Sequence, residues 1–307
     1  MNKYLVTGGA GFIGSHTVDQ LLALEQQVVV LDNFSSGHRK NLPASHPNLT
    51  IIEGDIRDSS AVTKAADGVT HCLHLAAQVS VVKSLEDPVD SATHNILGFI
   101  NVLNAMKKNN AKRFVYASSA ATYGNPKTLP LPEEEPLGPE SPYGLEKQIN
   151  ELYVKLFKDL YDTSSCGMRF FNVYGPRQDP KSPYAGVIAL FADAVLANQA
   201  LTINGDGSQT RDFIFVNDVA RANVAALGCD YEGAVNVATG STVTLLELIE
   251  VLEKIAGHEC KKTFGPEREG DIKHSAAMVD TLQNSLKVTA KHGLEEGLRA
   301  LLESEKK

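Results

Sequence analysis

The chain has 307 residues, a net charge of −8, 43% apolar residues and 21% charged ones. That length and balance build one large domain or two ordinary ones around a sizeable core, and exclude a disordered chain. No basic cluster marks a nucleic-acid footprint and no apolar run reaches the length of a membrane span, so a phosphate-bearing ligand has to be held by local groups.

The opening "MNKYLVTGG" runs straight into a strand and shows no leader pattern. "KYLVTG", "QVVVLD", "LTIIEGD", "THCLHLAA", "RFVYASS" and "CGMRFFNVYG" read in turn as buried strands. Helical stretches such as "FIGSHTVDQLLAL" and "NILGFINVLNAMKKN" stand between them. Continuous apolar strands alternating with helices predict a doubly wound, Rossmann-type parallel α/β sheet covered on both faces. After residue 176 proline and glycine punctuate "GPRQDPKSPYAG", and shorter segments follow: "ALTING", "RDFIFV", "NDVARANVAALG" and "AVNVAT". "TLLELIEVLEKIAG" predicts a helix with Thr244 and Glu247 as a capping box and Gly257 as its stop. The expected division is therefore a nucleotide-binding domain over residues 1–175 and a smaller mixed α/β lobe over 176–307, with later segments returning to the first sheet. Cys72, Cys166, Cys229 and Cys260 lack metal-ligand spacing and read as small buried thiols of a reducing cytoplasm.

"VTGGAGFIGSH" places Gly8, Gly11 and Gly14 directly after the first strand and at the start of the first helix. Glycine lets the backbone turn tightly and approach a diphosphate, while the helix end supplies N–H groups and a positive dipole. The second strand ends in Asp32, an acid suited to ribose hydroxyls and repelled by a 2′-phosphate, which favours NAD over NADP. Arg39 and Lys40 keep NADP open. "GDI" closes the third strand, with Asp55 positioned either to meet an adenine or to end a turn.

In "SPYGLEKQ", Ser141 and Pro142 predict a helix start, and Tyr143 and Lys147 share a face one turn apart. A phenol titrates near ~10, and an adjacent cation lowers that value, so the pair has the makings of a general base. His74, His94 and His274 lack metal spacing and read as ordinary hydrogen-bonded histidines.

Taken together, "TGGAGFIG", "LDN", "GDI", "HLAA", "YASSAATYG", "YGLEK", "RFFNVYGPRQ", "LTINGDGSQTRDFIFVNDVA" and "REGD" resemble the extended short-chain dehydrogenase/reductase family. Within it, the chain is similar to the nucleotide-sugar 4-epimerases of the UDP-glucose 4-epimerase type. The resemblance implies that Gly8, Gly11, Phe12, Ile13 and Gly14 hold the NAD diphosphate. Asp32, Asn33, Ser35 and Gly37 would surround the adenosine ribose, and Asp55 and Ile56 the adenine. Leu75, Ala76, Ala77 and Asn95 would line the cofactor. Tyr143 and Lys147 would be the catalytic pair, with Ser119 bonded to the reacting sugar hydroxyl. Asn172, Arg211 and Arg268 would grip the UDP diphosphate, with Thr202 and Asn204 near the base and its ribose. Oxidising a secondary alcohol needs a hydride acceptor and a base, which NAD and a Tyr143 acidified by Lys147 and by the positive nicotinamide would supply.

Dehydratases of the family carry an acid after the serine or threonine that Ser119 matches; here Ala120 and Ala121 follow, and neither moves a proton. In "REGDIKHSAAMVD" the resemblance places a pocket gate at Ser275, small enough to admit a 2-acetamido group. It also implies a homodimer through a four-helix bundle, built from the helices carrying Ile96, Phe99, Ile100 and Leu103, and Leu145, Ile149, Leu152 and Leu156. A one-way nucleotide-sugar oxidoreductase or dehydratase of the same family and a non-catalytic NAD-sensing regulator remain the alternatives.

Overall fold

Neighbouring residues of each central strand serve opposite faces of one sheet. Val28 and Val30 join the core on one side, Val29 and Leu31 the core on the other, and Val6 and Leu5 divide in the same way. This period of two, with every position apolar, is why the strands read as unbroken hydrophobic runs. The computed structural model describes residues 2–126, 128–179, 186–267 and 273–305.

The strands in chain order are β1 (Lys3–Thr7), β2 (Gln27–Asp32), β3 (Leu49–Glu53), β4 (His71–His74), β5 (Arg113–Ser119), β6 (Ser165–Phe170) and β7 (Asn172–Tyr174). They continue with β8 (Leu201–Asn204), β9 (Thr210–Arg211), β10 (Phe213–Phe215), β11 (Gly233–Val237), β12 (Val243–Thr244) and β13 (Lys262–Gly265). Seven of them form one sheet in the order β11-β6-β5-β4-β1-β2-β3. All its pairings are parallel. The order reverses direction between β1 and β4, where the crossovers leave to opposite sides and open a crevice at the strands' carboxyl ends.

The helices that matter for the site are α1 (Phe12–Ala23), α2 (Ser59–Ala65), α3 (Val81–Glu86), α4 (Pro88–Ala92), α5 (Gly98–Lys108) and α6 (Pro142–Tyr161). Further along lie α7 (Val187–Leu196), α8 (Val216–Gly228) and α9 (Leu245–Ala256), then α10 (Asp280–Asn284) and α11 (Leu294–Glu305). α1 and α8 cover one face through Val18, Leu21, Val219 and Ala222; α5 and α6 cover the other through Phe99, Leu103, Met106 and Val154.

Three expectations are refined. "CGMRFFNVYG" is two strands: β6 pairs with β5 and β11, whereas β7 leaves to pair with β10 in a separate two-stranded sheet. The segment before α5 is a π turn over Thr93–Leu97 rather than α-helix. Phe99 and Leu103 of α5 are fully buried against the sheet, so they belong to the core and not to an intersubunit face.

A second core gathers α7, α9 and α11 around β8 and β10, with Phe191, Ile203, Phe215, Leu248, Leu252 and Leu301 inside. α9 has the capping box of Thr244 and Glu247 and ends at Gly257 in the left-handed region, φ +80°. β11 and α8 come from the same later part of the chain yet pack on the first sheet. None of the helices among the described residues is long and apolar enough to cross a membrane.

Phe99 sits among the rings of His74, Phe114 and Tyr116 at centroid distances of 5.3, 5.6 and 5.4 Å. Truncating it leaves a cavity where those rings have no room to collapse. Phe99→Ala is expected to cost about 3–5 kcal/mol in urea unfolding; a loss under about 1 kcal/mol would contradict this packing.

Candidate active site

The crevice at the β1/β4 reversal is a cavity of about 520 Å³ running from the glycine loop to the start of α6. Its floor is backbone. Gly8 has φ +69°, and a Cβ there would lie 2.7 Å from the Ala76 nitrogen. A Cβ on Gly14 would lie 2.2 Å from the Gly8 carbonyl oxygen. Only glycine permits this folding of the loop onto itself and onto residues 75–76. Gly11 is the N-cap of α1 and no side chain caps it, so that helix end keeps N–H groups for an anion. A diphosphate fits such an end.

Asp32 is 7% exposed and lines the cavity. Its Oδ2 accepts from the Ala10 N–H and its Oδ1 from the Phe34 N–H, both at 2.8 Å. The carboxylate therefore ties the glycine loop to the turn after β2, and ionised it keeps further lone pairs for hydroxyl donors. Asn33, Ser35, Gly37, Ile56, Leu75, Ala76 and Ala77 are in the walls with Gly11, Phe12 and Ile13.

Two residues expected at the cofactor lie outside these walls. Asp55 accepts from Arg57 Nε and Nη2 at 2.9 and 2.8 Å and from Asn33 Nδ2 at 2.9 Å. The Arg57 hydrogen bond holds its pKa far below the usual carboxylate range. Asn95 is buried behind the wall: its Oδ1 accepts from the Gln78 N–H at 2.9 Å, and its Nδ2 donates to the Gln78 carbonyl at 2.8 Å and to Glu146 Oε2 at 2.6 Å. Glu146 also accepts from Ser91 Oγ at 2.8 Å.

α6 starts as its sequence predicts. Ser141 Oγ accepts from the Gly144 N–H at 3.1 Å and Pro142 opens the first turn. Tyr143 and Lys147, one turn apart, and Ser119 at the end of β5 meet in the same cavity. Lys147 is 3% exposed, and its Nζ donates to the Ala117 carbonyl at 3.1 Å. Burial pushes its pKa down to about 8, against a smaller raising effect of Glu146.

Here the structure corrects the sequence argument. Lys147 Nζ lies 5.7 Å from the Tyr143 ring centroid, bonded elsewhere. The phenol's pKa is raised, first by burial and further by Glu146, and a hydrogen bond with Ser119 is what lowers it. Within the polypeptide, desolvation outweighs the cation the helix periodicity suggested.

Of the residues expected at the nucleotide sugar, Ser119 is in the cavity wall, whereas Asn172, Thr202, Asn204, Arg211 and Ser275 lie beyond it. Asn172 begins β7 and its Nδ2 donates to the Asp212 carbonyl at 3.0 Å. Thr202 and Asn204 are on β8, with Thr202 Oγ1 3.3 Å from Thr263 Oγ1 on β13. Arg211 Nη1 donates to the Thr210 carbonyl at 2.9 Å and the Lys273 carbonyl at 3.3 Å. The Ser275 N–H donates to the Thr210 carbonyl at 3.1 Å, so Arg211 and Ser275 sit on adjacent segments. Arg268 falls outside the described residues. His74, His94 and His274 bond Thr7 Oγ1, the Asp90 carbonyl and Thr210 Oγ1 respectively.

Sequence reasoning assigned no role to Arg177 and Gln178, which line the cavity from the end of "NVYGPRQ". Neither spacing nor periodicity marks them; their place depends on a turn in which Gly175 has φ +144° and Arg177 φ +68°.

The buried Lys147 ammonium makes a pH-dependent prediction. Its folded pKa is below the ordinary 10.5, so it costs stability in full below pH about 8, and the cost fades as pH rises toward 10.5. Lys147→Met should unfold later than the parent at about pH 7, by roughly 1–3 kcal/mol, with the gap closing by about pH 10. A gap independent of pH in thermal unfolding would rule this out.

A family model described as "NAD dependent epimerase/dehydratase family" matches residues 4–238. The UDP-glucose 4-epimerase of Mycolicibacterium smegmatis is 39% identical over 278 residues, covering 89% of this chain and 88% of the relative. A solved UDP-N-acetylglucosamine 4-epimerase from Methanobrevibacter ruminantium, in complex with UDP-N-acetylmuramic acid, superposes with a TM-score of 0.96 at 39% identity. That match covers 99% of this chain and 98% of the other. A solved UDP-glucose 4-epimerase from Thermus thermophilus, in complex with NAD, has a TM-score of 0.91 at 37% identity, with 99% of each chain covered.

Proposed function

The chain belongs to the NAD dependent epimerase/dehydratase family, and from that premise we propose that it is a UDP-hexose 4-epimerase. It interconverts UDP-glucose and UDP-galactose, and also UDP-GlcNAc and UDP-GalNAc, through a 4-keto intermediate. The observation that carries this reading is one continuous cavity joining the glycine loop and uncapped end of α1 to Ser119, Tyr143 and Lys147.

NAD held in this cavity would supply the hydride acceptor, and then the hydride donor, for the sugar carbon. Ser119 and Tyr143 hold the reacting hydroxyl, and Tyr143 receives its proton and later returns it. Lys147 holds the ribose of the dinucleotide. Asp32, Asn33, Ser35 and Gly37 take the adenosine end, with Asp55 holding Asn33 in place at the rim. Ala121 donates its N–H to Ser119 Oγ at 3.1 Å, and neither it nor Ala120 offers an acid for dehydration. Turning of the ketone within the cavity would present its other face to the hydride that bound NAD would supply.

The second core carries the nucleotide sugar in this reading, with Asn172, Arg211 and Arg268 on the diphosphate and Thr202 and Asn204 near the uridine. Ser275, on the segment beside Arg211, leaves room for the acetamido group. Support comes from the relative solved with UDP-N-acetylmuramic acid, itself a 2-acetamido sugar nucleotide. Purified protein given UDP-galactose or UDP-GalNAc should form the 4-epimer without net change in reduced cofactor. Tyr143→Phe should lose at least ~100-fold in rate, and Ser275→Tyr should lose acetamido turnover ~10-fold or more while keeping the plain hexose. Stoichiometric NADH release would replace the epimerase reading with a one-way oxidoreductase.

The partner on the outer face of α6 is a second copy of this chain. Leu145, Leu152, Leu156 and Leu160 form one exposed stripe, and Leu85 and Val89 of the neighbouring α3 and α4 are exposed too. An apolar stripe of that length on one helix face suits a helix-to-helix contact across a twofold axis. Sedimentation should give twice the mass of the chain, and Leu152→Glu should shift it toward monomer; a monomeric parent would remove the proposal. The four cysteines are free thiols; Cys72, Cys166 and Cys260 are buried as expected, whereas Cys229 is only partly so.

A further inference from the structure

The segment that carries Ser275 is strung between two supports. At its start, the Thr210 carbonyl accepts the Ser275 N–H at 3.1 Å, and Thr210 Oγ1 lies 2.9 Å from His274 Nδ1. Further on, Leu131 takes it from the other side. The Leu131 N–H donates to the Ala276 carbonyl at 2.9 Å, and the Met278 N–H donates to the Leu131 carbonyl at 2.8 Å, an isolated parallel bridge outside every named strand. Leu131 and Ala277 pack with Tyr123 and Phe171, and Phe171 lines the cavity.

The second support is anchored by Asn236 on β11, which is wholly buried. Its Nδ2 donates to the Leu131 carbonyl at 2.9 Å and to the Met278 carbonyl at 3.3 Å, and its Oδ1 accepts from the Tyr123 hydroxyl at 2.7 Å. Its backbone N–H donates to Glu133 Oε1 at 3.0 Å. The direction of the side-chain bonds is forced. Arg169 Nη1 donates to the Tyr123 oxygen and to the Glu133 carbonyl, both at 2.8 Å, and a guanidinium cannot accept, so the phenol proton points to Asn236. The amide nitrogen is then the end that meets the two carbonyls. Arg169 in turn donates to Glu151 on α6 at 2.9 and 2.7 Å, and Glu151 accepts from Ser118 Oγ at 2.6 Å. One buried polar chain thus runs from the neighbour of Ser119 to the Ser275 segment.

Packed apolar side chains often stabilise a core as well as a buried ion pair does, whereas directed hydrogen bonds fix one arrangement. We propose that Asn236 is a positioning residue for sugar selection: it holds the Ser275 segment at a set distance from Ser119, so that the side chain at position 275 decides which 2-substituent the pocket admits. A side chain excludes a substituent only when the backbone that carries it does not give way. This rests on the reading of Ser275 as the gate.

The test compares kcat/KM for UDP-GalNAc and UDP-galactose in the full chain and its variants. Ser275→Tyr alone should lower the acetamido-to-plain ratio about 10-fold. Adding Asn236→Leu, which keeps the volume and removes the bonds to both carbonyls, should return that ratio to within about threefold of the parent's, because the tyrosine can then be displaced. Adding Tyr123→Phe instead, which removes only the hydroxyl that orients the amide, should restore part of it. A merely structural role lowers both sugars together and leaves the ratio where Ser275→Tyr put it, and that result overturns the proposal. If the variant with Asn236→Leu does not fold, an unrestored ratio with Tyr123→Phe overturns it. A parent without UDP-GalNAc turnover, or a ratio that Ser275→Tyr alone leaves at the parental value, overturns the gate reading itself and the proposal with it.

Discussion

The carbonyl of Gly8 lies so close to the Cα of Gly14 that no side chain fits between them, and much else follows from that approach. It brings the end of β1 under the first turn of α1, so the helix axis points its amino end into the crevice. The same loop packs against the backbone at Ala76, which continues from β4 across the reversal of strand order. Asp32 then locks the arrangement from β2, with one oxygen on the loop and the other on the turn that follows. Three parallel strands thus deliver their carboxyl ends to one point through backbone contacts, and a binding surface made of backbone barely changes shape when side chains move.

The reactive end of the cavity works on different physics. Lys147 and Tyr143 are both desolvated, and desolvation drives each toward its neutral form. Glu146, next to Lys147 in sequence, is buried as well, and its carboxylate is satisfied by Ser91 and Asn95. Its charge favours the ammonium and disfavours the phenolate. Through Asn95 it also grips the backbone at Gln78, directly after the wall residues Ala76 and Ala77. Asn95 thus supports the wall from behind, a place the family resemblance did not anticipate. Within the polypeptide the hydrogen bond with Ser119 does not offset the desolvation of Tyr143.

The two cores divide the labour. The first, flanking the parallel sheet, holds the glycine loop and α6; the second gathers α7, α9 and α11 around short strands. They are not separable in sequence, because β11 and α8 cross back to the first sheet after the second core has begun. Arg177, on the turn that leaves β7, stands where the chain passes from one to the other and is tied to α1. The Arg177–Asp19 contact at that junction ties the turn after β7 to α1.

By itself the sequence determined the local features, because each depends on residues a few positions apart. Unbroken apolar strands alternating with helices specify the parallel sheet, and glycines at 8, 11 and 14 specify the loop. Ser141 and Pro142 start α6, Tyr143 and Lys147 share its face, and Thr244, Glu247 and Gly257 bound α9. The tertiary structure decided whatever depends on distance or on burial. It split β6 from β7, put Phe99 and Leu103 in the core, turned Asp55 toward Arg57, and set Asn95 behind the wall. It also decided the titration of Tyr143 and the presence of Arg177 in the cavity. Periodicity tells which residues share a face, but the solvation of a charge and the path of a left-handed turn depend on atoms supplied by remote parts of the chain.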